Sequence, residues 1–280
     1  MEEHQPGPTI SFALITDIHY AATGDPDRDS GCSDDLQKSV AWWNRQSAAF
    51  LLQFGDLIKG SSQHARKELQ ESLGHLGGFH GKTRHIIGNH CLAIPENDLT
   101  TALGLHAPYY TFSIAPFRFI ILHGMDISTL TKPRTKQDKE HLSRYLSKPE
   151  LHDYCGAIGE TQTGWLRSEL NKAEQTGERV IIASHFPLHA ETTDPRYGLL
   201  WNHHEIREIL TASPAVKVCI SGHYHYGGYA REKNLHLIVL PAFVNRHLHP
   251  GQASTMAELS LNRLLIRTEN ENHLYDLPLD

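Results

Sequence analysis

Apolar, strand-like runs alternate with amphipathic helical stretches down this chain, and that alternation most constrains its fold. Thr9 to Ile18 is β-branched and apolar until it turns polar at its end, as a strand buried on both faces does. Ser33 to about Arg45 reads as a helix with Ser33 as its N-cap, and Ala48 to Ile58 as a second buried strand. Ala65 to Leu76 then reads as a helix and Arg84 to Ile87 as a short third strand. The second half repeats the style. Tyr109 to Phe112 and Phe117 to Leu122 read as paired strands joined at Ala115-Pro116, Gln162 to Ala173 as a helix, and Val180 to Ser184 as a strand. His203 to Leu210 reads as a helix capped by Asn202, and Val216 to Ser221 as another strand. Leu235 to Leu240, Ala257 to Leu261 and Leu264 to Thr268 read as a closing antiparallel set. The class is α/β. With 280 residues and no internal repeat, a single domain over 1–280 is expected. The stretch Leu130 to Glu160 is rich in Lys, Glu, Thr and Pro, with apolar periodicity only over His141 to Leu146. It is expected to be an insertion or lid at 130–160, either a passive surface excursion or a wall facing substrate.

Charge and cysteine usage remove several classes. The net charge is −6, from 26 basic and 32 acidic residues, and no Lys/Arg cluster is present, so no nucleic-acid partner is expected. No apolar run approaches the roughly 18 residues needed to span a bilayer, so no membrane is expected. The opening Met-Glu-Glu-His-Gln-Pro-Gly-Pro lacks the basic start and apolar stretch of a signal peptide. Cys32, Cys91, Cys155 and Cys219 form no C-x-x-C pair, which fits reduced thiols in a cytoplasmic protein. Histidine is the outlier, at 21 residues.

Five short motifs follow strand-like runs, where open α/β sheets hold their ligands. They are Asp17-Ile18-His19, Gly55-Asp56, Gly88-Asn89-His90, Ser184-His185 and Gly222-His223-Tyr224-His225. Alternate residues of an extended segment point the same way, so D-x-H and H-x-H can converge on one ion. Glycines before Asp56, Asn89 and His223 fit tight turns that let backbone approach a metal. Asp17, His19, Asp56, Asn89, His185, His223 and His225 form a mixed N/O set without thiolates, suited to manganese, iron or zinc. Seven ligands are too many for one ion, so two ions sharing a bridging carboxylate is the economical arrangement. Such a pair activates a water and clamps the oxygens of an in-line displacement at phosphorus. A purely structural pair of ions is the alternative.

The ordered set D-x-H, G-D, G-N-H, S-H and G-H-x-H, spanning residues 17 to 225, resembles the calcineurin-like metallophosphoesterase superfamily. The resemblance implies a four-layer α/β/β/α sandwich with a dinuclear site at one rim. It implies one metal on Asp17, His19, Asp56 and His225, and a second on Asp56, Asn89, His185 and His223, with Asp56 as bridge. His90 resembles the family's histidine that helps protonate the leaving oxygen or stabilises charge at phosphorus. Gly55-Asp-Leu-Ile-Lys-Gly60, Phe117-Arg-Phe-Ile-Ile-Leu122, Trp165-Leu166, Leu200-Trp-Asn202 and Gly222-His-Tyr-His-Tyr-Gly-Gly-Tyr229 also resemble the manganese-dependent ADP-ribose/CDP-alcohol diphosphatase group. Two departures stand out: Cys91 follows His90 where the superfamily often has Glu, and His19 stands where that group often has Gln.

The expected function is hydrolysis of a phosphoanhydride or phosphodiester, with a small nucleotide-like phosphorylated substrate. A cyclic-nucleotide or other phosphodiesterase of the same superfamily is the alternative, and a catalytically inactive scaffold on the same fold the remote one. Tyr20, Cys91, Trp201 and Asn202 neighbour the motifs and are candidate substrate contacts. For Tyr20 and Trp201, as for Tyr229, packing is an equal explanation; for Asn202, helix capping suffices. His189, His203 and His204 are further candidates for the cleft, with plain exposure as the other reading.

Overall fold

The computed structural model describes residues 9–25, 29, 31–248 and 250–279; the reading of the first eight residues lies outside them. In chain order the elements are β1 (Ile10–Ile15), α1 (Cys32–Arg45), β2 (Phe50–Gln53), α2 (Ala65–Leu76), β3 (Lys82–His85), α3 (Glu96–Ala102), β4 (Tyr110–Ile114) and β5 (Phe117–Ile121). Then come β6 (Ile127–Ser128), α4 (Lys136–Leu146), β7 (Gly156–Ala157), α5 (Glu160–Thr176), β8 (Arg179–Ala183), α6 (His203–Ala212) and β9 (Val216–Ser221). β10 (Tyr226–Glu232), β11 (Leu235–Pro241), β12 (Thr255–Ser260), β13 (Arg263–Thr268) and β14 (His273–Pro278) complete the chain.

Two six-stranded sheets result, in the orders β14-β13-β12-β1-β2-β3 and β10-β11-β9-β8-β5-β4. β1, β2 and β3 run parallel, as do β5, β8, β9 and β11, so both sheets send carboxyl ends to one rim. The apolar runs carry no polar alternation because each strand is covered on both faces. Phe12 and Leu14 of β1 meet Phe119 and Ile121 of β5 between the sheets, while Ala13 and Ile15 face the layer of α1 and α2. Likewise Ile181 and Ala183 of β8 enter the inter-sheet core, and Val180 and Ile182 pack under α5 and α6. Phe12 and Phe50 stack at 4.8 Å and meet Phe119 edge-on. The order of layers is therefore α/β/β/α.

Several local expectations need correction. Ser33 is not the N-cap of α1; Gly31 is, and the Ser33 hydroxyl instead pairs with Tyr20. β2 is only four residues long, because the chain turns into left-handed geometry at Gly55 and Asp56. β11 does not close a set with the tail strands. It pairs with β9 and β10, while β12 to β14 extend the other sheet beside β1. α3, β10 and β14 escaped the pattern reading. They are a short helix and two edge strands whose exposed faces dilute the apolar signal. The 130–160 stretch is also more ordered than its composition suggests. Thr135 and Asp138 form a reciprocal capping box that starts α4, and β6 pairs with β7 across it.

Candidate metal centre

Every motif residue sits just past the carboxyl end of a parallel strand. Asp17 and His19 follow β1, Asp56 follows β2, Asn89 and His90 follow β3, His185 follows β8, and His223 and His225 follow β9. The convergence of Asp17 and His19 does not come from extended alternation, as the spacing argument supposed. Asp17, His19, Asp56 and His223 all have positive φ, at 49°, 47°, 47° and 67°. Such backbone is costly for side-chain-bearing residues and persists only where the surroundings enforce it. Here cross-strand bonds do so, His19 N donating to Asp56 O at 2.9 Å and Asp17 N to Gly55 O at 3.2 Å. A Cβ at Gly88 would collide with the Asp56 carboxylate and backbone nitrogen, and one at Gly222 with the Thr16 and Asp17 side chains. Glycine at these two positions therefore lets the backbone close on the carboxylates.

The potential ligand atoms fall into three groups, each within 4.8 Å: Asp17, His19 and His225; His19, Asp56 and His90; Asp56, His185 and His223. His185 Nε2 lies 3.4 Å from Asp56 Oδ2 and 3.1 Å from Asn89 Oδ1, which brings the seventh predicted residue to the same place. Each carboxylate is steered by a backbone amide, His223 N donating to Asp17 Oδ2 and His90 N to Asp56 Oδ1, both at 2.9 Å. Carbonyls orient three of the rings. His185 Nδ1 donates to Phe54 O, His223 Nε2 to Tyr197 O and His90 Nδ1 to Lys59 O, all at 2.7 Å. Such outer bonds fix the tautomer and free the opposite nitrogen for a ligand.

The charges are strongly coupled. Burial opposes charge on Asp17, yet the His19 and His225 rings beside it hold its carboxyl well below the usual range. Burial opposes charge on Asp56 too, and the His185 charge holds it down. Burial disfavours the His185 imidazolium, but Asp56 beside it pushes the ring up to about 9, whereas burial and the His185 charge push His223 down to about 4. An imidazolium at His185 offsets one of the two carboxylate charges, in a position where a cation would do the same.

The donor set fits a metal on its own geometry. Asp17 Oδ1 is buried without a hydrogen-bond partner. It faces His225 Nε2 at 3.6 Å and His19 Nε2 at 3.7 Å. A buried carboxylate oxygen left unmatched is what a metal ligand looks like without its ion, because an orphan of that kind is otherwise costly. Carboxylates, imidazoles and an amide, without thiolate, suit manganese, iron or zinc.

Above this floor opens a cavity of about 320 Å³ bounded by His19, Asp56, Asn89, His90, His223 and His225, and by Tyr154, Arg196 and Tyr197. The last three were not anticipated from sequence. Of the neighbouring candidates, none bounds this cavity. Tyr20 is 1% exposed, and its hydroxyl is engaged by Ser33, Glu71 and His75 between α1 and α2. Cys91 is buried beneath its own turn, which pushes its thiol up to about 12. Trp201 donates to His152 O and packs on Tyr145, beside a separate apolar cavity. Asn202 precedes α6 without capping it through its side chain; it clasps both backbone groups of Ile158 instead. Tyr229 packs by His236, while His203 and His204 pair with Arg207 on α6. His189 accepts from Glu191 N at the start of a short 3₁₀ turn.

Residues 10–227 match the family model of the calcineurin-like phosphoesterases. This chain belongs to that family. As a calcineurin-like phosphoesterase it is a metal-dependent phosphohydrolase that takes divalent ions. It is 32% identical over 258 residues to a manganese-dependent ADP-ribose/CDP-alcohol diphosphatase of Arabidopsis thaliana, covering 79% of this chain and 82% of the relative. The corresponding rice diphosphatase is 29% identical over 256 residues, 80% of this chain and 79% of the relative. In fold, the phosphoesterase superposes on a dimetal phosphatase from Danio rerio with TM-score 0.82 at 24% identity, over 98% of this chain and 99% of that one. Among the described residues, no helix is long and apolar enough to cross a membrane.

Proposed function

We propose that this phosphoesterase cleaves the phosphoanhydride of a nucleoside diphosphate linked to a sugar or an alcohol, the class to which ADP-ribose and the CDP-alcohols belong. It would do so with two divalent ions, manganese first, with iron and zinc also compatible with the donors. The observation that carries the reading is Asp56: one carboxylate belongs both to the group with His19 and His90 and to the group with His185 and His223. Asp17, His19, Asp56 and His225 would hold one ion, and Asp56, Asn89, His185 and His223 the other. The names of the Arabidopsis and rice relatives support the metal and the substrate class.

When bound, such a pair supplies an activated water and neutralises charge gathering at phosphorus. The protein's own residues do the rest. Asp17 and Asp56 stay ionised in a buried floor, and the carbonyls of Phe54 and Tyr197 hold His185 and His223 in fixed orientation. His90 differs from them in being exposed to the cavity. Its Nδ1 is tied to Lys59 O, so Nε2 is left to exchange a proton with the departing oxygen.

The shared inter-sheet core supports a single domain over 1–280, with 130–160 as an insertion whose end reaches the cavity through Tyr154. Four buried cysteines, none of them in a disulfide, support a cytoplasmic setting. The test is hydrolysis by metal-stripped protein reloaded with manganese, comparing ADP-ribose, CDP-choline, cyclic AMP, bis-p-nitrophenyl phosphate and p-nitrophenyl phosphate. Preference for the first two, with release of a nucleoside monophosphate, is the expected result. Preference for the diesters moves the protein to the phosphodiesterase branch and overturns the diphosphatase reading.

A further inference from the structure

Among the described residues that bound the cavity over the metal centre, Arg196 is the only arginine or lysine. Its side chain is 82% exposed, yet its backbone is held on three consecutive carbonyls by the end of the 130–160 insertion. His152 Nε2 donates to Pro195 O at 2.7 Å, Tyr154 OH to Arg196 O at 2.9 Å, and Cys155 Sγ to Tyr197 O at 3.8 Å. The His152 and Tyr154 rings stack on each other 5.0 Å apart, so the two donors form one platform. Tyr197 O also takes the His223 proton, which ties this loop to the metal floor. At its tip, Asp194 forks onto Arg196 through Nε at 3.0 Å and Nη2 at 2.7 Å. An exposed pair two residues apart adds little to stability. What it does is aim the guanidinium, of whose five N–H donors it takes two.

The floor beneath holds the buried carboxylates Asp17 and Asp56, and the ion pair proposed above would serve a single phosphoryl group. A diphosphate carries a second, unattacked phosphate that needs a cation elsewhere in the cavity. A guanidinium matches phosphate oxygens in a planar fork. A diester with one phosphorus has no such second group. We propose that Arg196 recognises the unattacked phosphate of a diphosphate substrate, and that Tyr154 is the positioning residue that sets it through the Arg196 carbonyl. The proposal rests on the diphosphatase reading above.

The experiment compares wild type, Arg196→Gln and Tyr154→Phe, each loaded with manganese, on CDP-choline and on bis-p-nitrophenyl phosphate. The expected result for Arg196→Gln is a fall in the ratio of the two kcat/KM values on the order of 30-fold, as loss of a charge-assisted contact gives. Tyr154→Phe should lower the same ratio by roughly 3- to 10-fold, mainly through KM, since one neutral bond is lost. In a second measurement, calorimetric binding of methylenediphosphonate should weaken against orthophosphate in the same rank order. An unchanged ratio in Arg196→Gln, or equal losses on both substrates, overturns the assignment while leaving the diphosphatase reading standing. A wild-type enzyme that cleaves the diester and no diphosphate overturns both.

Discussion

The cavity has a floor and a wall made in different ways. The floor is backbone-built. Asp17, Asp56, His185 and His223 sit at strand ends in positions where φ, carbonyl acceptors and missing Cβ atoms leave each side chain one orientation. The wall of Tyr154, Arg196 and Tyr197 is loop-built, held by side chains reaching carbonyls across some 40 residues of sequence. The two meet at one point, where Tyr197 O of the wall accepts from His223 Nε2 of the floor at 2.7 Å, so the loop that bounds the cavity also orients one of its rings.

The comparison is most strongly tested at the floor. Asp56→Asn should lower kcat by about 10³-fold or more, because a carboxylate serving both halves is worth several kcal/mol of charge stabilisation. Metal content measured by mass spectrometry should fall with it; retained activity would break the dinuclear assignment. His90→Ala should lower kcat by roughly 10²-fold, as loss of a general acid does. Its metal content should be unchanged, and a proportional loss of metal would move His90 into the floor.

A layer below, His85 is fully buried at the end of β3, and that burial pushes its imidazole down to about 4. The unfolded chain takes up a proton near the ordinary value of 6.5, so this group's neutral burial costs nothing above pH 6.5. Its contribution to stability is lost progressively as pH falls from 6.5 toward 4. His85→Gln should flatten the decline in urea-unfolding free energy over that window by about 3 kcal/mol; an unaltered slope would show the ring is charged in the fold. The smallest effect is expected at Thr135→Ala, which removes the capping box of α4. It should cost about 1 kcal/mol of stability. KM for CDP-choline should not change, because α4 lies outside the cavity boundary; a raised KM would make the whole insertion part of the wall.

The strands that carry the floor were readable because burial on both faces leaves unbroken apolar runs, and each run stops just before a motif residue, as at Leu14-Ile15-Thr16-Asp17 and Ile220-Ser221-Gly222-His223. The motif residues do come together at one rim, but one cause of their meeting differs from the expected one. Asp17 and His19 converge through left-handed turns enforced by β2's loop, a geometry that no i, i+2 rule encodes. Tyr20 and Asn202 show the converse. Beside a motif in sequence, each is spent on packing, one between α1 and α2 and the other on Ile158.

By itself, then, the sequence determined the α/β class, the rim and the kinds of donor that gather there, because local periodicity and short motifs are properties of neighbouring residues. Only the tertiary structure decided which sheet took the tail strands and that Tyr154 and Arg196 share the metal cavity. Those are meetings of segments far apart in the chain, fixed by register and by carbonyls that happen to lie within reach, and no local pattern records them.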